Sequence, residues 1–207
     1  MKLTEPNVMK RVVILNLGWG NLDSLRMFFK RCGYRADIID LATDIEYPTA
    51  DILVIPGVGS ASAFAGLCST LRYRLDIMLQ KANKIVGICL GMHVLFNYLE
   101  EGNCKGLGII DKDVIKHCFS GVFSNNIGYR WVDFRDQSIQ LYFCHSYGVL
   151  FSDVNTMMDE VYTFTYPDGN ESQYLAGFKS NILIGLQFHP EKSGDEGLRL
   201  MKKLLDE

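Results

Sequence analysis

Long hydrophobic runs are absent from this sequence of 207 residues. The longest apolar stretch, from Ile85 to Phe96, is too short to span a bilayer as a helix and is interrupted by glycines and His93. The first residues, Met1 to Asn7, also lack the apolar segment of a signal peptide. We therefore expect no membrane association and a cytoplasmic location.

Paired cysteines and an excess of positive charge are also absent. The six cysteines are Cys32, Cys68, Cys89, Cys104, Cys118 and Cys144. They show no C-x-x-C spacing, so neither a metal site nor a disulfide framework is indicated. The formal net charge is -3, which gives no electrostatic basis for nucleic-acid binding. A dinucleotide-binding loop is not indicated, because Gly18-Trp19-Gly20 is followed by Asp23 where the third glycine belongs.

The sequence does contain a cysteine placed between glycines. The apolar run Lys84 to Ile88 leads into Gly87-Ile88-Cys89-Leu90-Gly91, and a segment of helical character follows. A sharp strand-to-helix turn strains the residue at the turn and leaves its side chain exposed, and flanking glycines provide room. Backbone N–H groups at a helix start favour thiolates in general. The pattern predicts a cysteine nucleophile, with a buried core cysteine as the plain alternative.

Histidine is scarce, with four residues, and one of them lies beside a carboxylate. His189 stands in Gln187-Phe188-His189-Pro190-Glu191-Lys192-Ser193, where the following proline favours an extended backbone. In an extended segment His189 and Glu191 point to the same side, and a carboxylate can orient an imidazole. Alone, this pattern is better explained as a surface turn. Together with the cysteine motif, it predicts a triad of Cys89, His189 and Glu191.

Apolar strands alternate with helices in the first half of the chain. Strands are predicted at Arg11 to Asn16, Ala36 to Ile39, Asp51 to Ile55 and Lys84 to Ile88, and helices at Asn21 to Cys32, in the region up to Asn83, and at Met92 to Leu99. Apolar runs without polar alternation are typical of parallel strands covered on both faces. We expect an α/β fold with a mostly parallel central sheet flanked by helices, and a ligand site beyond the carboxyl ends of its strands.

Beyond Gly102 the sequence favours antiparallel or mixed β-structure. The β-rich segments are Ile139 to Cys144, Glu160 to Thr165, Tyr174 to Phe178 and Ile182 to Leu186, with a turn at Tyr166 to Asn170 and a final helix at roughly Gly194 to Leu205. No repeat or linker separates the two halves. We therefore expect a single domain over 1–207, with residues 1–10 as a short N-terminal extension.

Four separated segments carry a resemblance to a known family. They are Pro56-Gly57-Val58-Gly59, Gly87-Ile88-Cys89-Leu90-Gly91-Met92, Tyr142-Phe143-Cys144-His145-Ser146-Tyr147 and Gln187-Phe188-His189-Pro190-Glu191-Lys192-Ser193. In this order, and together with the Gly18-Trp19-Gly20-Asn21 loop, they resemble the class I, triad-type glutamine amidotransferases over almost the whole chain. Within that class, the sequence is similar to the glutaminase subunit of imidazole glycerol phosphate synthase, in histidine biosynthesis.

The resemblance implies a reaction and a role for named residues. Cys89 would attack the side-chain amide of glutamine, His189 would protonate the departing ammonia and then activate water, and Glu191 would hold His189. The backbone N–H groups of Val58 and Leu90 would bind the oxyanion. The substrate pocket would comprise Gly57, Gly59, His93, His145, Ser146 and Tyr147. No cofactor is implied.

The resemblance also implies a partner protein. The glutaminase would form a heterodimer with a cyclase-type (β/α)8 barrel, pass ammonia into its interior and stay nearly idle until that partner docks. Lys192 matches a family position at this interface, although without the family it is equally well an ordinary solvated lysine. The joint products would be imidazole glycerol phosphate and an aminoimidazole carboxamide ribonucleotide.

Two departures from the family pattern leave the acceptor of the ammonia open. The family usually has glutamine where this chain has His93, which could contact substrate, adjust the thiolate or simply pack. Asn125-Asn126-Ile127-Gly128-Tyr129 stands where histidine-pathway members tend to read Pro-His-Met-Gly-Trp. One alternative is a paralogue that supplies ammonia for amidine formation on a surface-polysaccharide sugar. Another is a catalytically silent binding module of the same fold.

Overall fold

A computed structural model describes residues 9–43, 48–119, 122–123, 125–153, 159–164 and 173–206. Most of the predicted N-terminal extension, residues 1–8, and the predicted turn at Tyr166 to Asn170 lie outside these ranges. Within the described ranges, no helix combines the length and the apolar character that crossing a membrane requires.

Strands and helices alternate in the first half of the chain, and strands dominate the second. The strands are β1 (Arg11–Asn16), β2 (Arg35–Asp40), β3 (Ala50–Ile55), β4 (Ala82–Ile88), β5 (Phe96–Leu99), β6 (Cys104–Lys105), β7 (Ile110–Lys116), β8 (Cys118–Phe119), β9 (Val122–Phe123), β10 (Asn126–Phe134), β11 (Gln137–His145), β12 (Tyr147–Gly148), β13 (Glu160–Phe164), β14 (Tyr174–Ser180) and β15 (Leu183–Leu186). The helices are α1 (Leu22–Arg31), α2 (Ala61–Ala65), α3 (Ser69–Gln80), α4 (Leu90–His93) and α5 (Gly194–Asp206), with 3₁₀ turns at Phe151–Asp153 and Pro190–Lys192.

One large sheet organises these elements. Among the described residues it has nine strands, in the order β11-β10-β13-β14-β15-β4-β3-β1-β2. Strands β15, β4, β3, β1 and β2 form its parallel part, whereas β11, β10, β13 and β14 pair antiparallel. A smaller sheet has the order β12-β7-β5-β6. The predicted α/β class, with parallel strands flanked by helices and an antiparallel or mixed C-terminal half, is confirmed.

Alternate residues of the central strands face two separate cores. On β1, the fully buried Val12 and Ile14 share a core with α1 and α5, and Val13 and Leu15 share the other with α2, α3 and the smaller sheet. Both faces of the parallel strands are therefore covered. The carboxyl ends of these strands remain as the edge at which a ligand can bind.

The helix after Cys89 is shorter than predicted, so the expectation of a helix from Met92 to Leu99 is wrong. α4 ends at His93, and the chain then enters β5, which pairs with β6 and β7. The carbonyl oxygen of Val94 accepts the N–H of Leu107 and not that of a following helical turn. Apolar spacing cannot separate helix from strand in so short a run, and pairing with distant strands decides the outcome.

Candidate active site

Cys89 lies at the turn between β4 and α4. Its backbone has φ 52° and ψ -110°, a strained region for a residue with a side chain. Its N–H donates to the carbonyl oxygen of Leu186 on the neighbouring β15 at 2.6 Å, which holds the turn on the sheet. The side chain is only 7% exposed, contrary to the expectation of an exposed thiol. β11 contributes to this cover, because the Cys144 carbonyl oxygen lies 3.9 Å from the Cys89 sulfur.

Glycines make this turn possible. A Cβ at Gly57 would overlap the backbone nitrogen of Leu90, and a Cβ at Gly91 would overlap the carbonyl oxygen of Ile55. A Cβ at Gly87 would likewise overlap backbone atoms of α4. Each of these backbone approaches is too close for any side chain. As a result, the segment after β3 lies directly against the turn that carries the cysteine.

His189 and Glu191 meet in a buried contact beside Cys89. The His189 Nδ1 and Glu191 Oε1 atoms are 2.9 Å apart, and the two side chains are 3% and 2% exposed. The Cys89 sulfur is within hydrogen-bonding reach of the same imidazole. A thiol, an imidazole and a carboxylate thus lie in series, which is the arrangement that nucleophilic catalysis by cysteine requires.

The backbone that joins His189 to Glu191 differs from the prediction. His189 is extended, with φ -99° and ψ 98°, but Glu191 lies in a 3₁₀ turn, so the two side chains do not meet through strand alternation. Ser193 ties this turn to β11: its hydroxyl donates to the His189 carbonyl oxygen at 2.7 Å and accepts the Tyr142 N–H at 3.0 Å. Sequence reasoning missed this contribution, although Ser193 belongs to the same motif.

The surroundings of His189 favour its charged form. Burial alone would lower the pKa of the imidazole, but hydrogen bonds to Cys89 and Glu191, together with the negative charges of these groups, raise the pKa to about 10. The ring is therefore an imidazolium at neutral pH, held between the sulfur and the carboxylate. An imidazolium is the form that can donate a proton to a departing amine.

Replacing Glu191 with glutamine is expected to lower the pKa of His189 and to flatten the alkaline pH dependence of stability. In the wild type the imidazolium stabilises the fold fully below pH 6.5, and this contribution is lost as the pH rises towards about 10. The free energy of unfolding should therefore fall as the pH rises through this window, because the unfolded chain then binds fewer protons than the folded one. Urea unfolding at several pH values, with the imidazole resonance followed by NMR, measures both quantities. Equal slopes in the two proteins would contradict the assigned ion pair.

A cavity of about 170 Å³ opens beside Cys89. It is lined by Gly59, Cys89, Leu90, His93, Glu101, Cys144, His145, Ser146 and Tyr147. Most of the predicted pocket residues are therefore together at this place. Gly57 packs against the cysteine turn and does not line the cavity, and Val58, also outside the lining, is 43% exposed. The volume is below that of sites for drug-sized ligands and suits an amino acid.

The unusual Asn125-Asn126 pair supports the wall of this cavity. The Asn126 side-chain amide donates to His145 Nε2 at 3.0 Å, and His145 Nδ1 donates to the Tyr147 carbonyl oxygen at 2.8 Å. The Ser146 hydroxyl donates to Asn125 Oδ1 at 2.7 Å. Burial, with neighbouring histidines adding to it, holds the pKa of His145 well below its usual value, so the ring is neutral. Both asparagines thus position residues of the cavity.

Glu101 is a residue of the cavity that sequence reasoning missed. Among the described residues that line the cavity, it is the one acidic side chain. Its carboxylate accepts the N–H of Ala61, at the start of α2, at 3.2 Å. Glu101 lies in the turn after Leu99, and a helix from Met92 to Leu99, as predicted, gives no basis for placing that turn at the cavity. With His145 neutral, Glu101 gives the cavity a negative charge.

An exposed apolar surface lies next to the cavity and includes the predicted interface residue. Ile127, Tyr129 and Trp131 alternate along β10 and are 56%, 53% and 60% exposed; we call them the β10 apolar strip. The Lys192 ammonium lies 5.6 Å from the centre of the Tyr142 ring, and the Lys192 carbonyl oxygen accepts the Tyr129 hydroxyl at 2.9 Å. This surface has the composition of a protein-binding site.

Known proteins resemble this chain over most of its length. A family model described as "Glutamine amidotransferase class-I" matches residues 13–206. The "Imidazole glycerol phosphate synthase subunit HisH 2" of Methanococcus maripaludis is 32% identical over 94% of this chain and 98% of its own length. The "Imidazole glycerol phosphate synthase subunit HisH" of Exiguobacterium sibiricum is 34% identical over 93% of each chain.

Solved structures share the fold at lower identity. A structure of PurLQS from Thermotoga maritima has a TM-score of 0.61 at 17% identity, covering 96% of this chain and 99% of that one. A glutamine amidotransferase from Thermotoga maritima has a TM-score of 0.56 at 18% identity, covering 95% and 84%. The family model spans nearly the whole sequence, and the curated relatives exceed 30% identity over more than nine-tenths of it. The chain therefore belongs to the class I glutamine amidotransferase family.

Proposed function

We propose that the protein hydrolyses glutamine to glutamate and ammonia through a thioester on Cys89. The observation that supports this most directly is the series Cys89, His189 and Glu191 beside a cavity of amino-acid size. Cys89 attacks the amide carbon, His189 gives a proton to the leaving ammonia and then accepts one from the water that attacks the thioester. Glu191 accepts the Nδ1–H of the ring, which directs Nε2 to the sulfur.

The oxyanion of the tetrahedral intermediate is assigned to the backbone N–H groups of Val58 and Leu90. The close approach of Gly57 to the Leu90 nitrogen supports this assignment, because it brings the segment that carries Val58 to the cysteine turn. The Trp19 indole N–H donates to the Pro56 carbonyl oxygen at 3.3 Å and holds the start of that segment.

Glutamine binding is assigned to the lining of the cavity, with Gly59, His93, His145, Ser146 and Tyr147 as its walls. Glu101 is the group that fits the α-ammonium of the substrate, because the histidines of the cavity are neutral and it carries the negative charge. A half-buried pair of the Glu101 carboxylate and the α-ammonium contributes more to the binding free energy than an exposed pair would, since water screens it less.

Replacing Glu101 with glutamine is expected to raise KM for glutamine by about tenfold or more, with a smaller change in kcat, because a hydrogen bond to a charged group is lost. Steady-state glutaminase kinetics measure both constants. Glu100→Gln is the matched control, since Glu100 is adjacent but does not line the cavity. An equal rise of KM in both variants would contradict the assignment of Glu101.

The proposed recipient of the ammonia is a cyclase-type (β/α)8 barrel, bound as a heterodimer in the cytoplasm. The curated relatives named above are subunits of imidazole glycerol phosphate synthase, which supports this partner. The β10 apolar strip and Lys192 adjoin the cavity, because Ile127 pairs with the cavity residue Cys144 across β10 and β11. A barrel docked there would shield ammonia from bulk water. The joint products would be imidazole glycerol phosphate and aminoimidazole carboxamide ribonucleotide.

Adding the cyclase barrel and its nucleotide substrate to the chain is expected to raise glutaminase activity by roughly a hundredfold, the scale of a strong coupling between two sites. Glutamate release is measured with the chain alone, with the barrel, and with the barrel and nucleotide. Ile127→Asp, a charge placed in the β10 apolar strip, should abolish this activation without changing the activity of the chain alone.

Rescue of a histidine auxotroph by the chain and its own barrel tests the pathway. Rescue is the expected result. Failure of rescue in the presence of a stable, ammonia-releasing complex would contradict the histidine pathway and indicate a paralogue that serves another acceptor, such as a sugar that receives an amidine. His93 and the Asn125-Asn126 segment are the departures from the family pattern that motivate this alternative.

A further inference from the structure

A second series of hydrogen bonds reaches the sulfur of Cys89. His93 Nε2 lies 2.7 Å from Gln187 Oε1, and Gln187 Nε2 lies 3.8 Å from Cys89 Sγ, within the longer range typical of sulfur acceptors. Gln187 is fully buried and His93 is 4% exposed, so water does not compete for these groups. This series is separate from the contact of the sulfur with His189.

The imidazole of His93 fixes the direction of the Gln187 amide. Burial lowers the pKa of His93 to about 4, although the hydrogen bond to Gln187 opposes this effect, so the ring is neutral at neutral pH. When Nε2 carries the proton, it donates to Gln187 Oε1, and the amide NH₂ must face the sulfur. The reverse orientation would place an amide oxygen against a thiolate, and two acceptors without a proton between them repel each other.

We propose that Gln187 donates an N–H to the thiolate of Cys89 and that His93 is the positioning residue that holds the amide in this orientation. The effect on turnover rests on the proposed glutaminase function, but the hydrogen bond to sulfur does not. This proposal also explains how position 93 accepts histidine. The Nε2 of a histidine and the Nε2 of a glutamine reach about equally far from the backbone, so either can donate to Gln187.

Three variants test the proposal. Gln187→Met keeps a similar volume and removes the donor, His93→Leu removes the group that orients it, and His93→Gln preserves a donor at the same reach. The readout is the rate at which iodoacetamide alkylates Cys89 as a function of pH, followed by peptide mass spectrometry. Cys68, which is exposed, serves as an internal reference. Steady-state kcat and KM for glutamine are measured in parallel.

Gln187→Met and His93→Leu are expected to shift the pH of half-maximal alkylation upward by about one unit and to lower kcat by about tenfold. His93→Gln should keep the alkylation profile close to that of the wild type, because a donor to Gln187 is preserved. A purely structural role of His93 predicts a loss of thermal stability in His93→Leu without an upward shift of its alkylation profile.

An unchanged alkylation profile in His93→Leu, or an equal shift in His93→Gln and His93→Leu, would overturn the proposal. If Gln187→Met fails to fold, as judged by its thermal unfolding, the two His93 variants still decide the matter. If the wild type releases no glutamate, the proposed function fails. The alkylation profiles then still show whether the hydrogen bond to sulfur exists.

Discussion

Replacing Cys89 with alanine is expected to lower the rate of glutamine hydrolysis by at least about a thousandfold, even with the partner barrel bound. The alanine variant cannot form a thioester, and His189 and Glu191 have no nucleophile to serve. What remains is the effect of binding glutamine near oriented N–H groups. Glutamate release over a long incubation measures this residual rate.

Cys68→Ala is the matched control for this substitution. Cys68 is an exposed thiol at the start of α3, and its side chain makes no capping hydrogen bond, so its removal should leave glutaminase activity unchanged. Full activity in Cys89→Ala would make the thioester mechanism wrong. Absence of activity in the wild type with every tested partner would instead favour a silent binding module.

Replacing Gly91 with alanine is expected to destabilise the protein by about 3 kcal/mol or more and to abolish most of its activity. The added Cβ would overlap the carbonyl oxygen of Ile55, a backbone atom at the end of β3, so no side-chain movement relieves the clash. The φ of Gly91 is not in the positive range, and the cost is therefore steric. Urea unfolding and steady-state kinetics measure the two effects.

Gly66→Ala provides the comparison for Gly91→Ala. Gly66 follows α2 with φ -75°, and a Cβ there would lie 3.5 Å from its nearest neighbours, an ordinary contact. Because alanine restricts the unfolded chain more than glycine does, this variant should be unchanged or stabilised by about 0.4–1 kcal/mol. A similar loss of stability in both variants would show that the cysteine turn tolerates a side chain at position 91.

The cysteine turn could be predicted from sequence because its requirements are local. Gly87 and Gly91 flank Cys89 within five residues, and the strand before them is a continuous apolar run. The pairing of His189 with Glu191 was also predictable, although for a partly wrong reason. Their separation of two residues suits both an extended segment and a 3₁₀ turn, and the structure adopts the turn.

Contacts between distant residues could not be predicted in this way. His93 and Gln187 are 94 positions apart, and their hydrogen bond depends on the register that pairs β15 with β4. Glu101 reaches the cavity because the chain leaves α4 early and enters β5, a choice that tertiary pairing makes. Such hydrogen bonds depend on which strands pair in the folded sheet, so no pattern of neighbouring residues predicts them.

Because β4 and β15 are neighbours in the large sheet, His189 can lie beside Cys89 only after β15 has joined that sheet. Leu186 pairs with Ile88, so the segment with His189 reaches Cys89 only after a strand made about a hundred residues later has joined the sheet. Under the proposed mechanism, a nascent chain or a fragment that ends before this strand therefore has Cys89 without its base, His189. Under the proposed mechanism, a fragment that ends before β15 is expected to release no ammonia from glutamine.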